Sequence, residues 1–394
     1  MPRARHLTPE IALERARAIA PPLRAEPVAV PEAAGRTLAE DVRAERDLPP
    51  EASSAMDGWA LRAADTPGWL RICGESAAGR PADAPLRPGE AVAISTGAIV
   101  PRGADAVARR EAARVDGALV HVDVAIAPGR DVRARGDVIR RGEVLLPEGH
   151  RVAPHEVGGL GAMGRAAVLC RARPRVAVVA TGAELVPLGA QAGPAQVHDS
   201  SRPGVAAQAR AAGARIVAST AVGDDLDETV AVLGGLLDAT GGDRPDLVIT
   251  AGGISHGPHD HVRAALARLG VEEVVGGVRA SPIRPAYLGR RGEQAVLGLP
   301  GNPVAAAVAL HLLGRALLRA PEDWWRRAPL TVEVVAGSAM AAFVRCAEGP
   351  DGLTPMAAQA SHAVTSLAGA TALAWIPEGV RAAAGTPVAF SLLT

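Results

Sequence analysis

The 394-residue chain contains no lysine; its 42 Lys+Arg residues are all arginine. This absence excludes a Walker-type phosphate loop, whose lysine reaches the phosphates, and any Schiff-base or pyridoxal chemistry, which needs a side-chain amine. Arginine stays protonated, so the cationic groups serve as fixed charges and hydrogen-bonding forks. Aromatic residues are almost as scarce: Trp59, Trp69, Trp324, Trp325, Trp375, Tyr287, Phe343 and Phe390 are all of them. The core must therefore be built from Ala, Val, Leu and Ile, and stacking platforms for single-stranded nucleic acid are not expected. Cys73, Cys170 and Cys346 are far apart and form no CxxC, which provides neither a disulfide framework nor a thiolate zinc site and suits a reduced cytoplasm. No charge of one sign dominates, since 42 Asp+Glu balance the arginines, which argues against a basic nucleic-acid binder. No uninterrupted apolar run reaches about eighteen residues, and the Arg-rich start carries Glu10 and Glu14 without an apolar core. Neither a membrane span nor an export signal is expected, and the chain reads as soluble and cytoplasmic.

What is there divides into segments, and the length suits about two to four domains. Thr8 as cap, Pro9 in the first turn and apolar Ile11, Ala12, Ala16 and Ile19 predict a helix over 8–20, stopped by Pro21 and Pro22. Over 45–144 short alternating runs such as AVAIS, DAVAR and ALVHVDV lie between Gly, Pro and Asp, the pattern of a β-rich insert. Pro154 opens a further helix, through about Met163. From Pro174 strands and helices alternate: strands at 175–180, 215–220, 246–250 and 295–298, helices at 202–212, 226–239, 260–269 and 304–318. That rhythm predicts a mostly parallel, doubly wound sheet with helices on both faces. The last segment, from 327, reads as a small β domain. The expected organisation is thus multidomain, α+β and α/β: a discontinuous N-terminal helical or linker domain (1–44 and 145–172), a β-rich insert (45–144), an α/β domain (173–326) and a C-terminal β domain (327–394).

Three strands of the α/β segment run into loops dense in glycine and polar residues: TGAEL (Thr181 to Leu185), TAGGISHGPHD (Thr250 to Asp260) and GLPGNP (Gly298 to Pro303). Glycines let backbone N–H groups approach an anion, and helix N-termini favour negative charge, so a phosphate-bearing ligand is the expected guest. Glu184, Asp224, Asp225 and Asp260 sit beside these loops. Carboxylates near bound phosphate call for an intervening divalent cation, which makes Mg²⁺ the expected partner, although Asp224 or Asp225 also suits the cap of the helix starting near 226. A second polar cluster, SSAMDG (Ser53 to Gly58) and STGAIVPRGAD (Ser95 to Asp105), lies in the β-rich part.

Other signals weaken on inspection. GLGAMG (159–164) matches GxGxxG, but a predicted helix precedes it and an apolar run follows, the reverse of a dinucleotide fingerprint. His256, His259 and His261 flank Asp260 without a remote partner at metal-ligand spacing. The basic run Arg130, Arg133, Arg135, Arg140 and Arg141 is interrupted by Asp131 and Asp137 and reads as a solvated loop first, an anion site second.

An ordered series of strings carries a family resemblance: SSAMDGWA at 53, AGRPAD at 78, ISTGAIVPRGADAV at 94, GRDVRARGDVIRRGEVLLPEGHRVAPHEVGGLGAMG at 129, RPRVAVVATGAELV at 173, GDDLDE at 223, ITAGGISHGPHD at 249, LGLPGNPVAA at 297 and QASHAVTSLAGATAL at 359. Together they resemble the molybdopterin molybdenumtransferase family, the MoeA type that also forms the C-terminal domain of gephyrin. The resemblance implies an elongated four-domain subunit, usually a homodimer, that inserts molybdate into adenylylated molybdopterin and releases AMP with Mg²⁺ required. It also implies the molybdopterin adenylyltransferase as a partner. On that pattern Asp57 and Thr96 serve the site from the second subunit. Glu184, Asp225 and Asp260 match acidic positions around the metal and phosphates. Thr181, Gly182, Gly252, Gly253, Ser255, Pro300, Gly301, Asn302 and Pro303 match pterin and phosphate loops, and Ser361 the serine of the terminal domain.

Two departures stand out. Ala183 replaces the first acidic residue of the family's TGDEL, and SPIRP (Ser281 to Pro285) replaces its KPGKP loop, with Arg284 at one lysine position and Ile283 for glycine. Isoleucine disfavours positive φ and close backbone approach. A second reading therefore stands beside the enzyme: a catalytically weakened paralogue that binds molybdopterin or acts as a scaffold.

Overall fold

After Arg175, the run VAVVA (176–180) is apolar at every position because the strand it forms is buried on both faces, as parallel sheets require. A computed structural model describes residues 6–255, 257–324 and 326–393. His256 and Trp325 lie outside the described residues. The chain folds as two compact units, one of residues up to Arg24 together with those from Ala172 onward, the other Ala25–Arg171.

The first unit holds a six-stranded sheet. Its elements, with the helices that cover it, are α1 (Pro9–Ala18), β1 (Arg175–Thr181), α2 (Ser201–Ala211), β2 (Arg215–Val222), α3 (Leu226–Leu237), β3 (Leu247–Ala251), α4 (Val262–Arg268), β4 (Glu272–Val275), β5 (Tyr287–Arg291), β6 (Gln294–Leu299) and α5 (Pro303–Ala309). Strand order is β2-β1-β3-β6-β5-β4. The β1–β2, β1–β3 and β3–β6 pairs are parallel, while β6–β5 and β5–β4 are antiparallel. Alternation along the strands sorts the core. Val176, Val178, Leu247, Ile249 and Leu297 pack with α1, α2 and α5, whereas Ala177, Val179, Val248 and Val296 pack with α3 and α4. Strands β4 and β5 were not expected from the sequence; β4, at the edge, carries Glu272 and Glu273, and β5 beside it ends in Arg290 and Arg291, so neither shows a long apolar run.

Helix α1 packs in the first unit. Thr8 caps it through Oγ1, which accepts from the Ile11 N–H at 3.4 Å. Its buried face, Ala12, Leu13 and Ala16, belongs to the α/β core, because that narrow stripe of small residues fits against the sheet's helical layer. The C-terminal sheet runs 280–281, Ala341–Gly349, Ala372–Ile376, Pro387–Leu392, Arg326–Pro329, with Gly352–Pro355 paired to Ala341–Gly349. Strand Ala280–Ser281 lies parallel to Ala341 and Ala342 at its edge.

In the second unit, Ala25–Ala29 pairs antiparallel with Ala167–Arg171, so the two ends of the segment lie side by side. A six-stranded sheet follows the order Ala106–Arg109, Gly58–Leu61, Glu90–Ile94, Gly68–Ser76, Leu119–Val122, Ala113–Asp116. It buries Leu61, Leu70, Val120 and Val122 on one face and Ala60, Val92, Ile94 and Val107 on the other. The GLGAMG glycines fall on a short helix, Val157–Ala162, and its exit, which disposes of the dinucleotide reading. Among the described residues no helix is long and apolar enough to cross a membrane.

Candidate active site

In β2-β1-β3-β6, the chain leaves β1 towards β2 on one side and returns to β3 on the other, so the sheet's switch point lies between β1 and β3. Ligands of open α/β sheets bind in the crevice outside the carboxyl ends of strands at such a point. A cavity of about 430 Å³ opens there, lined by Thr181, Glu184, Leu185, Val197, His198, Ser200, Ser201, Ala251, Gly301, Asn302 and Pro303. Five of the expected site residues, Thr181, Glu184, Gly301, Asn302 and Pro303, are thus brought to one wall.

The glycines are required by close approach. Gly252, at φ +96°, lies so near β1 that a Cβ would stand 2.7 Å from the Thr181 carbonyl oxygen, and a Cβ on Gly253 (φ +62°) would stand 2.7 Å from Thr181 Oγ1. That hydroxyl is buried with no hydrogen-bond partner among the described residues. Gly182 donates to Val222 O at 3.2 Å and ties the end of β1 to that of β2. Asn302 Nδ2 donates to Ser361 Oγ at 2.9 Å, so the expected serine of the terminal domain reaches the cavity wall through one bond. Pro300 is buried behind this loop, and Ser255 is exposed without lining the cavity.

The acidic residues separate. Glu184 is exposed and borders the cavity. Asp225 caps α3, its Oδ1 accepting from the Glu228 N–H at 2.8 Å. Asp260 closes its own loop, Oδ2 accepting from the Gly257 N–H at 2.7 Å. The expectation that Glu184, Asp225 and Asp260 form one ligand group has no counterpart: among the described residues no three His, Cys, Asp or Glu are placed together to hold a metal ion. For Asp225 the cause is local, since a carboxylate at a helix start is drawn to the free N–H groups there. What remains fits a cation bound mainly through the ligand's own phosphates, with one protein carboxylate at the cavity, as Mg²⁺ commonly is.

Asp57 and Thr96 belong to the other unit and meet each other. Asp57 Oδ1 accepts from the Thr96 N–H at 2.6 Å and from Thr96 Oγ1 at 2.9 Å. These bonds, the backbone one foremost, hold the exposed Asp57 carboxyl below the usual range, with Arg110 assisting. Of the basic run, Arg135 pairs with Asp47 at 2.6 Å and Arg130 with Asp131 at 3.4 Å, and Asp131 is also gripped by Arg109 through Nε at 2.8 Å and Nη2 at 2.9 Å.

His198, Ser200 and Ser201 line the cavity but were not foreseen. Ser200 and Ser201 stand at the start of α2, where Asp199 Oδ1 already accepts from the Arg202 N–H at 3.0 Å and Pro203 has no N–H to offer, so the two serines are what this helix start contributes to the cavity wall. The signal was available in the polar run HDSS before the predicted helix at 202.

Comparison with known proteins agrees with this geometry. The MoeA N-terminal region (domain I and II) matches residues 7–164, the "Probable molybdopterin binding domain" matches 177–320, and the MoeA C-terminal region (domain IV) matches 327–393. Molybdopterin molybdenumtransferase 2 of Mycobacterium tuberculosis is 36% identical over 401 residues, 95% of this chain and 97% of that protein. The chain belongs to the molybdopterin molybdenumtransferase family. The Bacillus subtilis molybdopterin molybdenumtransferase is 30% identical, over 90% of this chain and 86% of its own. The crystal structure of a molybdopterin biosynthesis MoeA protein from Pyrococcus horikosii superposes with a TM-score of 0.86 at 28% identity, covering 99% of this chain and all of that one.

Against the family pattern, the departure at 281–285 is milder than the sequence implied. Ile283 is fully buried in the α/β core, and among the described non-glycine residues only Asp131 and Arg319 have positive φ. Its side chain replaces glycine by filling core volume. Arg284 is exposed, its carbonyl accepts from the Val278 N–H at 3.0 Å, and it does not line the cavity.

Proposed function

We propose that the protein inserts molybdate into the dithiolene of adenylylated molybdopterin and releases AMP. The observation that carries this reading is the crevice at the switch point, walled by glycine-backed loops, Ser200, Ser201, Asn302 and Glu184, in a chain whose relatives bear the name of that transferase. Cleaving the phosphoanhydride develops negative charge on the departing AMP phosphate. The hydroxyls of Ser200 and Ser201 suit that charge, and Asn302 suits the pterin side. Mg²⁺, when bound, would neutralise the leaving phosphate oxygens. Glu184 would hold it with ligand oxygens, while Asp225 Oδ2 and Asp260 Oδ1 stay outside the loop bonds described above. Asp57, fixed by Thr96, completes the site from a second copy of the chain, so the working form is a homodimer. Three free cysteines suit a cytoplasmic setting.

The test is AMP release from adenylylated molybdopterin with and without Mg²⁺ and molybdate. Release that needs both components is expected. Ligand binding without release would favour the scaffold reading.

A further inference from the structure

Arg345, in strand Ala341–Gly349, is fully buried, and among the described residues no carboxylate pairs with it. Burying a guanidinium in this way is costly, and a well-packed apolar side chain would often stabilise the sheet more. What the cation does is hold a loop. Nε donates to Ser366 Oγ at 2.9 Å, and Nη2 donates to the carbonyls of Ala358 at 3.1 Å and Ala360 at 3.5 Å. Nη1 is buried without a partner among the described residues. The backbone of Arg345 takes part as well: its N–H donates to Gln359 Oε1 at 3.1 Å, and its carbonyl accepts from Gln359 Nε2 at 2.9 Å and from the Met356 N–H at 2.8 Å. These bonds fall on both sides of Ser361, in the connection 356–371, which carries the short helical turn Val364–Leu367. Ser361 in turn accepts from Asn302 on the crevice wall.

We propose that Arg345 is a positioning residue for the transferase reaction: its planar fork fixes the loop around Ser361, and Ser361 sets Asn302 at the crevice. The proposal rests on the reading of that crevice as the substrate site. A guanidinium suits the task because it presents donors along two edges in a fixed geometry, reaching Ser366 with one and the carbonyls of Ala358 and Ala360 with the other. A methionine of similar length reaches neither.

The experiment compares full-length wild-type protein, Arg345→Met, Ser361→Ala and the double variant, measuring kcat and KM for AMP release from adenylylated molybdopterin with Mg²⁺ and molybdate. Each single variant is expected to raise KM on the order of tenfold, as a displaced contact wall does. The double variant is expected to be no worse than Ser361→Ala alone, because Arg345 acts through that serine. Mere loss of folded protein lowers apparent kcat in proportion and leaves KM unchanged, so the KM readout separates positioning from stability. Folded Arg345→Met with wild-type KM, or losses that multiply in the double variant while Ser361→Ala is impaired, would overturn the Arg345 proposal alone. Wild-type kinetics in Ser361→Ala would overturn the crevice reading and the proposal with it. Should Arg345→Met not fold, Ser366→Ala removes one acceptor of the fork and carries the same test: a raised KM supports the route, and an unchanged KM ends it.

Discussion

Gly252 shows how narrowly the site is drawn at the scale of one residue. A methyl group there would meet backbone and hydroxyl oxygens of Thr181 at 2.7 and 2.8 Å, at a φ of +96°, and backbone atoms cannot turn aside. Gly252→Ala should cost about 1–3 kcal/mol in strain and depress AMP release far more than it depresses stability, checked by urea denaturation beside the release assay. Asp57 offers the complementary case. Being exposed, it contributes little packing, so Asp57→Ala should keep the urea midpoint while abolishing turnover; undiminished turnover would remove it from the site. Residues on glycine-dense loops after strands, such as Thr181, Glu184 and Asn302, were legible because loop chemistry and position coincide. Asp225 was legible only as an acid beside a helix start, and the fold shows it as the cap. Ile283 misled in the other direction, since no sequence pattern shows which way its side chain points.

Helix α5 continues into a π-helical segment, Leu310–Gly314, and this element carries a buried histidine. His311 Nε2 meets Ser391 Oγ at 2.7 Å, and Ser391 Oγ donates to Asp323. Burial, foremost, lowers the histidine to about 4, with Arg315 adding to the shift, against about 6.5 in an unfolded chain. The neutral ring is therefore the folded form. Its contribution is complete above pH 6.5 and is lost as pH falls towards 4, when the unfolded state takes up the proton first, amounting to up to about 3 kcal/mol. Urea denaturation at steps across that range should show a shallower loss in His311→Gln than in wild type; equal slopes would refute the assignment. Beside it, Trp324, Phe343 and Trp375 stack edge-on or tilted with centroids 5.3 to 5.6 Å apart. In a chain so poor in aromatics this group concentrates apolar area where the α/β core meets the terminal sheet, and Phe343 belongs to that core. Phe343→Ala should cost about 3–5 kcal/mol in unfolding free energy.

At the scale of the whole molecule, residues 25–171 form a unit with their own cores, and the pairing of Ala25 with Arg171 leaves both ends of the segment together. Expressed alone, Ala25–Arg171 should unfold in one cooperative transition by circular dichroism, because the apolar clusters it needs lie within it. The proposed dimer has a sharper test. If Asp57 serves the site of a second copy, mixing inactive Asp57→Ala and Glu184→Ala proteins should restore part of the wild-type turnover, since mixed dimers hold one site with both residues intact. Two inactive variants that stay inactive after subunit exchange would place both residues in one copy's site.

The order of elements in the α/β region, the β character of 45–144 and of the C-terminal segment, and the loops that carry glycine were determined by the sequence itself. Periodicity and turn chemistry are local properties, set within a few residues. Tertiary structure alone decided that Ala12, Leu13 and Ala16 of the first helix belong to the α/β core, that β4 and β5 extend the sheet, and that Ser361 meets Asn302 across 59 positions of chain. It also decided that Ser200 and Ser201 line the crevice and that a buried arginine holds the loop beside it. Such pairings depend on which surfaces close on one another when the chain buries its apolar faces, and no local pattern encodes the partner across that distance.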